Sequence, residues 1–214
     1  MPRPRTHDLD RVLDTAQRIA VESGPAAVTV RALSQATLVS NGAIYHAFGS
    51  RAGLTGQVWV RAAERFLELQ REAVDKALAA GPAPRNAVEA VVAAADAPAE
   101  YLLRHPVSGR FLLTVDRAEL LGAGDLPAEV AARLTALDKA LTTLFVRLSR
   151  ELWDRADRES VAVVRDCVVE LPTALLLRGQ REPDPPTRAR LAAAVRAVLA
   201  LTPPEPARPG DPAA

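Results

Sequence analysis

The sequence predicts an all-α protein of about nine helices. Apolar residues recur at helical spacing in one segment after another, and no segment alternates apolar and polar residues as a half-buried strand does. Aromatic residues make up only 4% of the chain, while Ala, Leu, Val, Arg and Glu are abundant, and this mixture favours helix over strand. The length of 214 residues suits one small domain joined to one medium domain with a sizeable core.

The first four helices are predicted from their apolar stripes and from polar residues that suit N-caps. The polar, Pro-rich residues 1–8 are expected to form a flexible arm, followed by helix one, which ends before Pro25. Thr29, Ser40 and Ser50 are expected to cap helices two, three and four. Helices two and three are short, whereas the apolar stripe of helix four continues to about residue 80.

Pro-rich and Gly-rich breaks divide the rest of the chain into five further helices. The first break is at 81–84, and the helix after it contains Pro98, where a kink is expected. A short helix follows His105-Pro106, and the loop at 122–127 leads into a long helix with a leucine stripe. The segment 181–187 separates the last two helices. The Pro-rich tail at 203–214 is expected to be disordered.

The single cysteine and the lack of a long apolar run exclude several classes of site and protein, whereas the net charge by itself excludes none. The net charge is +1, and the first 56 residues carry six arginines against four acidic residues, a small excess of the sign that DNA binding requires. Cys167 is the only cysteine, which excludes an intrachain disulfide and a cysteine zinc cluster, and a buried structural thiol is favoured over a reactive sensor. The chain contains no run of about 18 apolar residues, so a soluble cytoplasmic protein without a membrane partner is expected.

Helices two and three have the layout of a helix-turn-helix. VRALSQAT and NGAIYHA are joined by a tight connection at Leu38-Val39-Ser40, after a longer helix that can support them. In such a motif the second helix lies in the major groove of DNA. The small or polar residues at the start of helix three allow DNA to come close to the backbone of the helix. Tyr45 and His46, which follow, can donate hydrogen bonds to phosphates.

The stretch TVRALSQATLVSNGAIYHAFGSRAGL resembles the signature of the TetR/AcrR family of transcriptional regulators. The matching elements are Leu33-Ser34, Val39-Ser40, Gly42-Ala43-Ile44-Tyr45, Phe48 and Arg51. The resemblance implies a three-helix DNA-binding domain at 9–56 and a helical ligand-binding and dimerisation domain at 57–202. Leu38 stands where the family commonly has Gly, which implies either a turn with ordinary dihedral angles or some strain.

The resemblance also implies which residues contact DNA. These are Thr29, Arg31, Ser40, Asn41, Gly42, Ala43, Tyr45, His46 and Arg51. Tyr45 and Arg51 are expected on phosphates, while Ile44 and Phe48 are expected in the core. Three alternatives remain open: Tyr45 as a half-buried structural residue, His46 as a merely solvent-facing one, and Arg3 and Arg5 as solubilising charges rather than minor-groove contacts.

Two further groups of residues follow from the family's architecture. A ligand pocket is expected to be lined by Trp59, Phe66, Tyr101, Arg104, His105, Phe111, Asp116 and Phe145. A homodimer interface of two helices from each subunit is expected to contain Val161, Val164, Val168, Leu171, Leu175, Leu191, Val195 and Val198. Ordinary core packing is the alternative for both groups.

The expected function is a ligand-responsive repressor that binds a pseudopalindromic operator in double-stranded DNA as a homodimer. A small apolar or amphipathic effector is expected to release it, and no cofactor or metal is expected. An enzyme is disfavoured because the sequence shows no phosphate loop, nucleophile elbow or metal-ligand cluster. Two alternatives remain: an activator or architectural DNA-binding protein that needs no ligand, and a helical interaction protein without DNA binding. The sequence specifies neither operator nor effector.

Overall fold

The computed structural model describes residues 6–81, 84–122, 126–178, 183–203 and 205. Within these ranges the chain forms ten α-helices and no strand, which confirms the predicted all-α class. No helix among them is long and apolar enough to span a bilayer.

The helices follow one another closely, and their bounds match most of the predicted segments. They are α1 Thr6–Ser23, α2 Val30–Thr37, α3 Asn41–Phe48, α4 Arg51–Ala79, α5 Arg85–Arg104, α6 Pro106–Thr114, α7 Arg117–Leu121, α8 Ala128–Trp153, α9 Arg158–Arg165 and α10 Pro185–Leu199. A short 3-10 turn, Pro25–Ala27, connects α1 to α2.

The chain divides into two compact units, and α4, α5 and α8 each supply residues to both of them. Unit 1 comprises Met1–Phe66 and Tyr101–Lys139, and unit 2 comprises Leu67–Glu100 and Ala140–Ala214. In unit 1 the core is formed by apolar residues of α1 to α4 together with α6 and α7. The core of unit 2 consists of residues from α4, α5, α8, α9 and α10.

Two features of the helices differ from the prediction. Helix α1 begins at Thr6, so residues 6–8 are helical rather than part of a flexible arm, and residues 1–5 lie outside the described ranges. Helix α7 is an additional element, and its five residues are too few to show an apolar period in the sequence. Asp116 caps this helix by accepting a hydrogen bond from the Glu119 backbone N–H at 2.7 Å.

Pro203, the first residue of the predicted disordered tail, makes ordered contacts within the protein. Pro203 is buried, and its carbonyl accepts a hydrogen bond from Arg155 at 3.4 Å. Arg155 also donates two hydrogen bonds to Asp157, the N-cap of α9, and this pairing holds the pKa of the Asp157 carboxyl well below its ordinary value. The rest of the predicted tail lies outside the described residues, apart from position 205.

Two prolines lie inside long helices, and the chain accommodates each of them in a different way. Beyond α9 the helix widens to π geometry at Asp166–Glu170 and at Thr173–Leu177, on either side of Pro172. Because proline has no N–H and its ring clashes with the preceding turn, a wider helix relieves the conflict.

Pro98 lies within α5, and its missing N–H leaves the carbonyl of Ala94 without the usual helical donor. Gln70 of α4 replaces that donor, since its Nε2 lies 2.9 Å from the Ala94 oxygen. The Gln70 side chain is buried, and its Oε1 has no hydrogen-bond partner. The hydrogen bond therefore joins α4 to α5 in the interior of unit 2.

Candidate nucleic-acid interface

Helices α1, α2 and α3 pack around a shared apolar core in unit 1. Leu33 of α2 and Ile44 and Phe48 of α3 are buried together with Val12 and Ala16 of α1. The core positions predicted for Ile44 and Phe48 are therefore confirmed. Burying these two side chains fixes which face of α3 points away from the core.

The starts of α2 and α3 are held by the predicted caps. The hydroxyl of Thr29 accepts a hydrogen bond from the Ala32 N–H at 3.1 Å, and that of Ser40 accepts from the Ala43 N–H at 3.2 Å. Ser50 caps α4 in the same way, through the Gly53 N–H at 3.0 Å. Each cap satisfies one free N–H and so defines where its helix begins.

The outer face of α3 consists of polar and small residues that are accessible to a partner. Asn41, Gly42 and His46 are exposed, Ala43 is half-buried, and 53% of Tyr45 is accessible to solvent. Thr29, Arg31 and Ser40 are exposed nearby along the chain. The structure thus places all nine predicted DNA-contacting residues at least partly at the surface of unit 1, with Ala43 and Arg51 half-buried.

Arg51 is used inside the protein. Its Nε donates to the Val28 carbonyl at 3.0 Å, and one terminal nitrogen donates to the Pro25 carbonyl at 3.2 Å. The guanidinium therefore supports the connection between α1 and α2, which contains the short 3-10 turn. The sequence could not indicate this use, because an arginine at a helix N-terminus is equally suited to a phosphate.

Arg11 is a further structural residue of this region that sequence reasoning missed. It lies on α1 and donates to the carbonyl of Thr37, the last residue of α2, at 3.0 Å. Arg61 of α4 pairs with Asp10 and Asp14 of α1. These contacts join α1 to α2 and α4, the helices that precede and follow α3 in the sequence.

Comparison with known proteins decides the family of this domain. Residues 12–58 match the family model described as bacterial regulatory proteins, tetR family. The N-terminal domain is a TetR-family DNA-binding domain. The match contains α2, α3 and the start of α4, and the resemblance seen in the sequence is thereby confirmed.

Solved structures with the TetR-family fold resemble the chain over most of its length. A tetR-family regulatory protein from Rhodococcus RHA1 has a TM-score of 0.65 and 18% identity, covering 92% of this chain and 97% of that one. The ketosteroid transcriptional regulator KstR2 of Mycobacterium tuberculosis has a TM-score of 0.60 and 17% identity, with coverages of 92% and 96%. The fatty acid degradation regulator FadR of Bacillus halodurans has a TM-score of 0.62 and 16% identity, with coverages of 89% and 97%. No curated protein matches the chain.

The residues predicted to line a TetR-family ligand pocket are only partly brought together. In unit 1 the rings of Trp59 and Phe111 lie 5.7 Å apart, and Tyr101 lies 5.5 Å from Phe66 and 5.2 Å from His105. These rings form two groups, Trp59 with Phe111 and Tyr101 with Phe66 and His105, which together we call the aromatic cluster of unit 1. Arg104 is exposed at the end of α5, Asp116 caps α7, and Phe145 belongs to the core of unit 2.

Tyr101 is fully buried, and its hydroxyl is already engaged within the protein. It donates to the Ala62 carbonyl at 3.1 Å and lies 2.8 Å from the Ser108 hydroxyl. Burial raises the pKa of this phenol, so it stays protonated. The hydroxyl joins α4, α5 and α6, and this contact alone accounts for a tyrosine at this position.

Half of the residues predicted for a TetR-family dimer interface are buried in the core of unit 2, as in the alternative of ordinary core packing. Val164, Val168, Leu191 and Val195 are buried in unit 2. Val161, Leu171 and Val198 are half-buried against the same core, and Leu175 is 41% exposed. The apolar stripes face the other helices of the subunit because unit 2 needs these side chains for its own core.

Cys167 has the environment of a structural thiol. It is fully buried in the core of unit 2, and burial, together with the neighbouring Asp166 carboxylate, raises its pKa to about 11. A thiol with such a pKa contains little thiolate at neutral pH, and the thiolate is the reactive form. The interpretation of Cys167 as a buried structural residue is the one that its surroundings favour.

Proposed function

We propose that the protein is a ligand-responsive transcriptional repressor that acts in the cytoplasm as a homodimer on a pseudopalindromic operator. The observation that carries this proposal is the two-sided character of α3. One face, with Ile44 and Phe48, is buried, and the opposite face presents Asn41, Tyr45 and His46. A helix held in this way by a three-helix core can enter a major groove, where the first residues of the helix reach base edges.

Tyr45 provides the direct test of DNA binding. Operators are first selected from random duplexes with the purified protein, and affinities are then measured by fluorescence anisotropy at fixed salt. Tyr45→Ala is expected to lower operator affinity about tenfold, because it removes both a phosphate donor and an apolar contact. Tyr45→Phe separates the two contributions, and Thr135→Ala on the exposed side of α8 is the matched control. Selection that enriches no sequence would contradict the proposal.

The homodimer is proposed to form through the outward faces of the last helices of unit 2. Leu175 and the exposed alanines of α10, among them Ala193 and Ala197, remain available there after the core is complete. Two copies of the helix-turn-helix about 34–36 Å apart would read successive major grooves. Small side chains on α10 allow a second helix to approach closely.

Ala193→Arg is expected to convert the dimer to a monomer in sedimentation velocity at micromolar concentration. A long charged side chain cannot be accommodated where two helices meet. Monomers should bind the operator at least tenfold more weakly, because each has only one DNA-binding domain. Ala132→Arg, the same change at an exposed position of α8 in unit 1, should leave both properties unchanged. A wild-type monomer with tight operator binding would overturn this part of the proposal.

The effector is proposed to be apolar or amphipathic and to act near the aromatic cluster of unit 1. The cluster supplies apolar aromatic rings, of which Tyr101 and Phe111 are fully buried. Structures with the same fold belong to regulators named for ketosteroids and for fatty acid degradation. An effector must favour the non-binding state by several kcal/mol to release the operator, so differential contacts to the two states are required.

The same anisotropy assay tests whether an effector releases the protein from its operator. The chain has two tryptophans, so Trp153→Phe leaves Trp59 as a single fluorescent reporter in the cluster. Palmitate and progesterone are suitable first probes within a wider panel of apolar metabolites. An active compound should change Trp59 emission and lower operator affinity at the same concentration. If no compound in the panel changes operator affinity more than about twofold, or 0.5 kcal/mol, the ligand-responsive part of the proposal fails.

A further inference from the structure

The turn between α2 and α3 contains a leucine in a conformation that leucine rarely adopts. Leu38 has φ 60° and ψ 14°, which is the left-handed helical region. Of the two alternatives left open by the sequence, the strained turn is the one observed. A β-carbon makes this region unfavourable for every residue except glycine, and Asn and Asp tolerate it better than Leu does. Strained residues of this kind persist when their surroundings hold them and are common at functional sites.

The hydrogen bonds around Leu38 fix its conformation. Its N–H donates to the Ser34 carbonyl at 2.9 Å, which ends α2. The neighbouring Thr37 is buried, and its hydroxyl donates to the Leu33 carbonyl at 2.7 Å and accepts from the Val39 N–H at 3.4 Å. Arg11 donates to the Thr37 carbonyl at 3.0 Å. The turn is therefore attached to α1 and to α2, and it holds Leu38 in one place.

The side chain of Leu38 points into solvent. Its exposed fraction of 89% is the largest among the large apolar side chains that the structure describes. The isolated chain thus has the cost of the left-handed conformation without the gain of burying a leucine. Leu38 is two residues before Ser40, the N-cap of α3, so at most about 7 Å separates their Cα atoms. Asn41, the first residue of the proposed DNA-reading helix, follows immediately.

We propose that Leu38 is a specificity-determining residue that packs against the C5-methyl group of a thymine at the edge of each operator half-site. This inference rests on the proposed DNA binding through α3. The thymine methyl is the apolar group that bases display in the major groove, and apolar side chains recognise it by contact. Leu38 is continuous along the chain with the proposed DNA-binding residues, it is apolar, and its turn is rigid. A pre-positioned side chain loses little conformational entropy when it binds.

The test compares Leu38→Gly with the wild type on operators that contain thymine or deoxyuridine. Deoxyuridine pairs as thymine does but has no methyl group. Each thymine of the half-site is replaced in turn by deoxyuridine. At one position, the thymine that Leu38 contacts, the replacement is expected to weaken binding of the wild type about fivefold. Leu38→Gly should bind the thymine operator about fivefold more weakly and should no longer distinguish the two bases. Affinity for non-operator DNA should stay the same.

Two controls separate this result from unfolding and from general surface effects. Glycine accepts a positive φ without strain, so Leu38→Gly should melt at the same temperature as the wild type or higher. Leu103→Ala changes another exposed leucine of unit 1, on α5, and should bind both operators as the wild type does.

Several outcomes would overturn the proposal. Leu38→Gly could retain the wild-type response to deoxyuridine, or it could lose affinity equally for all duplexes, which would indicate a backbone contact. A change in sedimentation would indicate that Leu38 meets another protein chain. If Tyr45→Ala weakens a selected operator and Leu38→Gly does not, this inference fails while the proposed function stands. If selection enriches no operator at all, both fail.

Discussion

Gly53→Ala is expected to lower the free energy of unfolding by about 3 kcal/mol or more, because the new methyl group has no space. A β-carbon at Gly53 would clash with the carbonyl oxygen of Phe48 and would lie 3.1 Å from Cγ of Pro127. The first of these is a backbone atom that cannot rotate away. It also accepts the Ser50 N–H at 2.8 Å, so moving it would break the connection between α3 and α4.

The Gly53→Ala variant should therefore lose DNA binding together with stability. Phe48 ends α3 inside the core, and a shift of its backbone changes the direction of the helix that is proposed to read DNA. Chemical denaturation followed by circular dichroism gives the free energy of unfolding, and anisotropy with the selected operator gives the affinity.

Gly42→Ala is the matched control for the effect on stability. This glycine lies in α3 with ordinary helical dihedrals, and a β-carbon there would meet nothing within 4 Å. Alanine favours helix over glycine, so the same substitution should here raise the free energy of unfolding by about 0.5 kcal/mol. Equal melting temperatures for Gly53→Ala and the wild type would show that the α3–α4 junction adapts without cost, which would contradict the prediction.

Local patterns predicted the helix-turn-helix well, because its rules act over three or four residues. Residue type and position predict Thr29, Ser40 and Ser50 as caps, and each accepts the expected N–H. Ile44 and Phe48 of α3 are predicted in the core, and both are buried. The exposed face of α3 lies opposite these two residues.

Patterns that depend on distant parts of the chain were less informative. The valine and leucine stripes of the last helices indicate an apolar face, yet the sequence does not say whether that face meets the same subunit or another. Val164 and Leu191 proved to be core residues of unit 2. Arg51 donates to carbonyls more than 20 residues away along the chain, and no local pattern distinguishes that role from a phosphate contact.

Gln70→Leu is expected to lower the free energy of unfolding by about 2 kcal/mol, although it replaces a buried polar side chain with an apolar one. Gln70 is almost fully buried, and its Nε2 donates to the carbonyl of Ala94, which Pro98 leaves without a helical donor. Without this donor the buried Ala94 carbonyl has no hydrogen bond. The free-energy cost of that loss exceeds the gain from burying a leucine. Thermal and denaturant unfolding of the full chain provide the measurement.

A double-mutant cycle with Pro98→Ala shows whether this explanation is correct. Alanine at 98 restores an N–H that can reach the Ala94 carbonyl, so in the Pro98→Ala background the amide of Gln70 is no longer needed. In that background Gln70→Leu should leave the free energy of unfolding nearly unchanged or raise it. The substitution also removes the buried Oε1 of Gln70, which has no hydrogen-bond partner in the wild type. The expected coupling between the two positions is about 1–2 kcal/mol. An unchanged cost of Gln70→Leu in both backgrounds would mean that Gln70 acts through its shape and not by repairing the helix at Pro98.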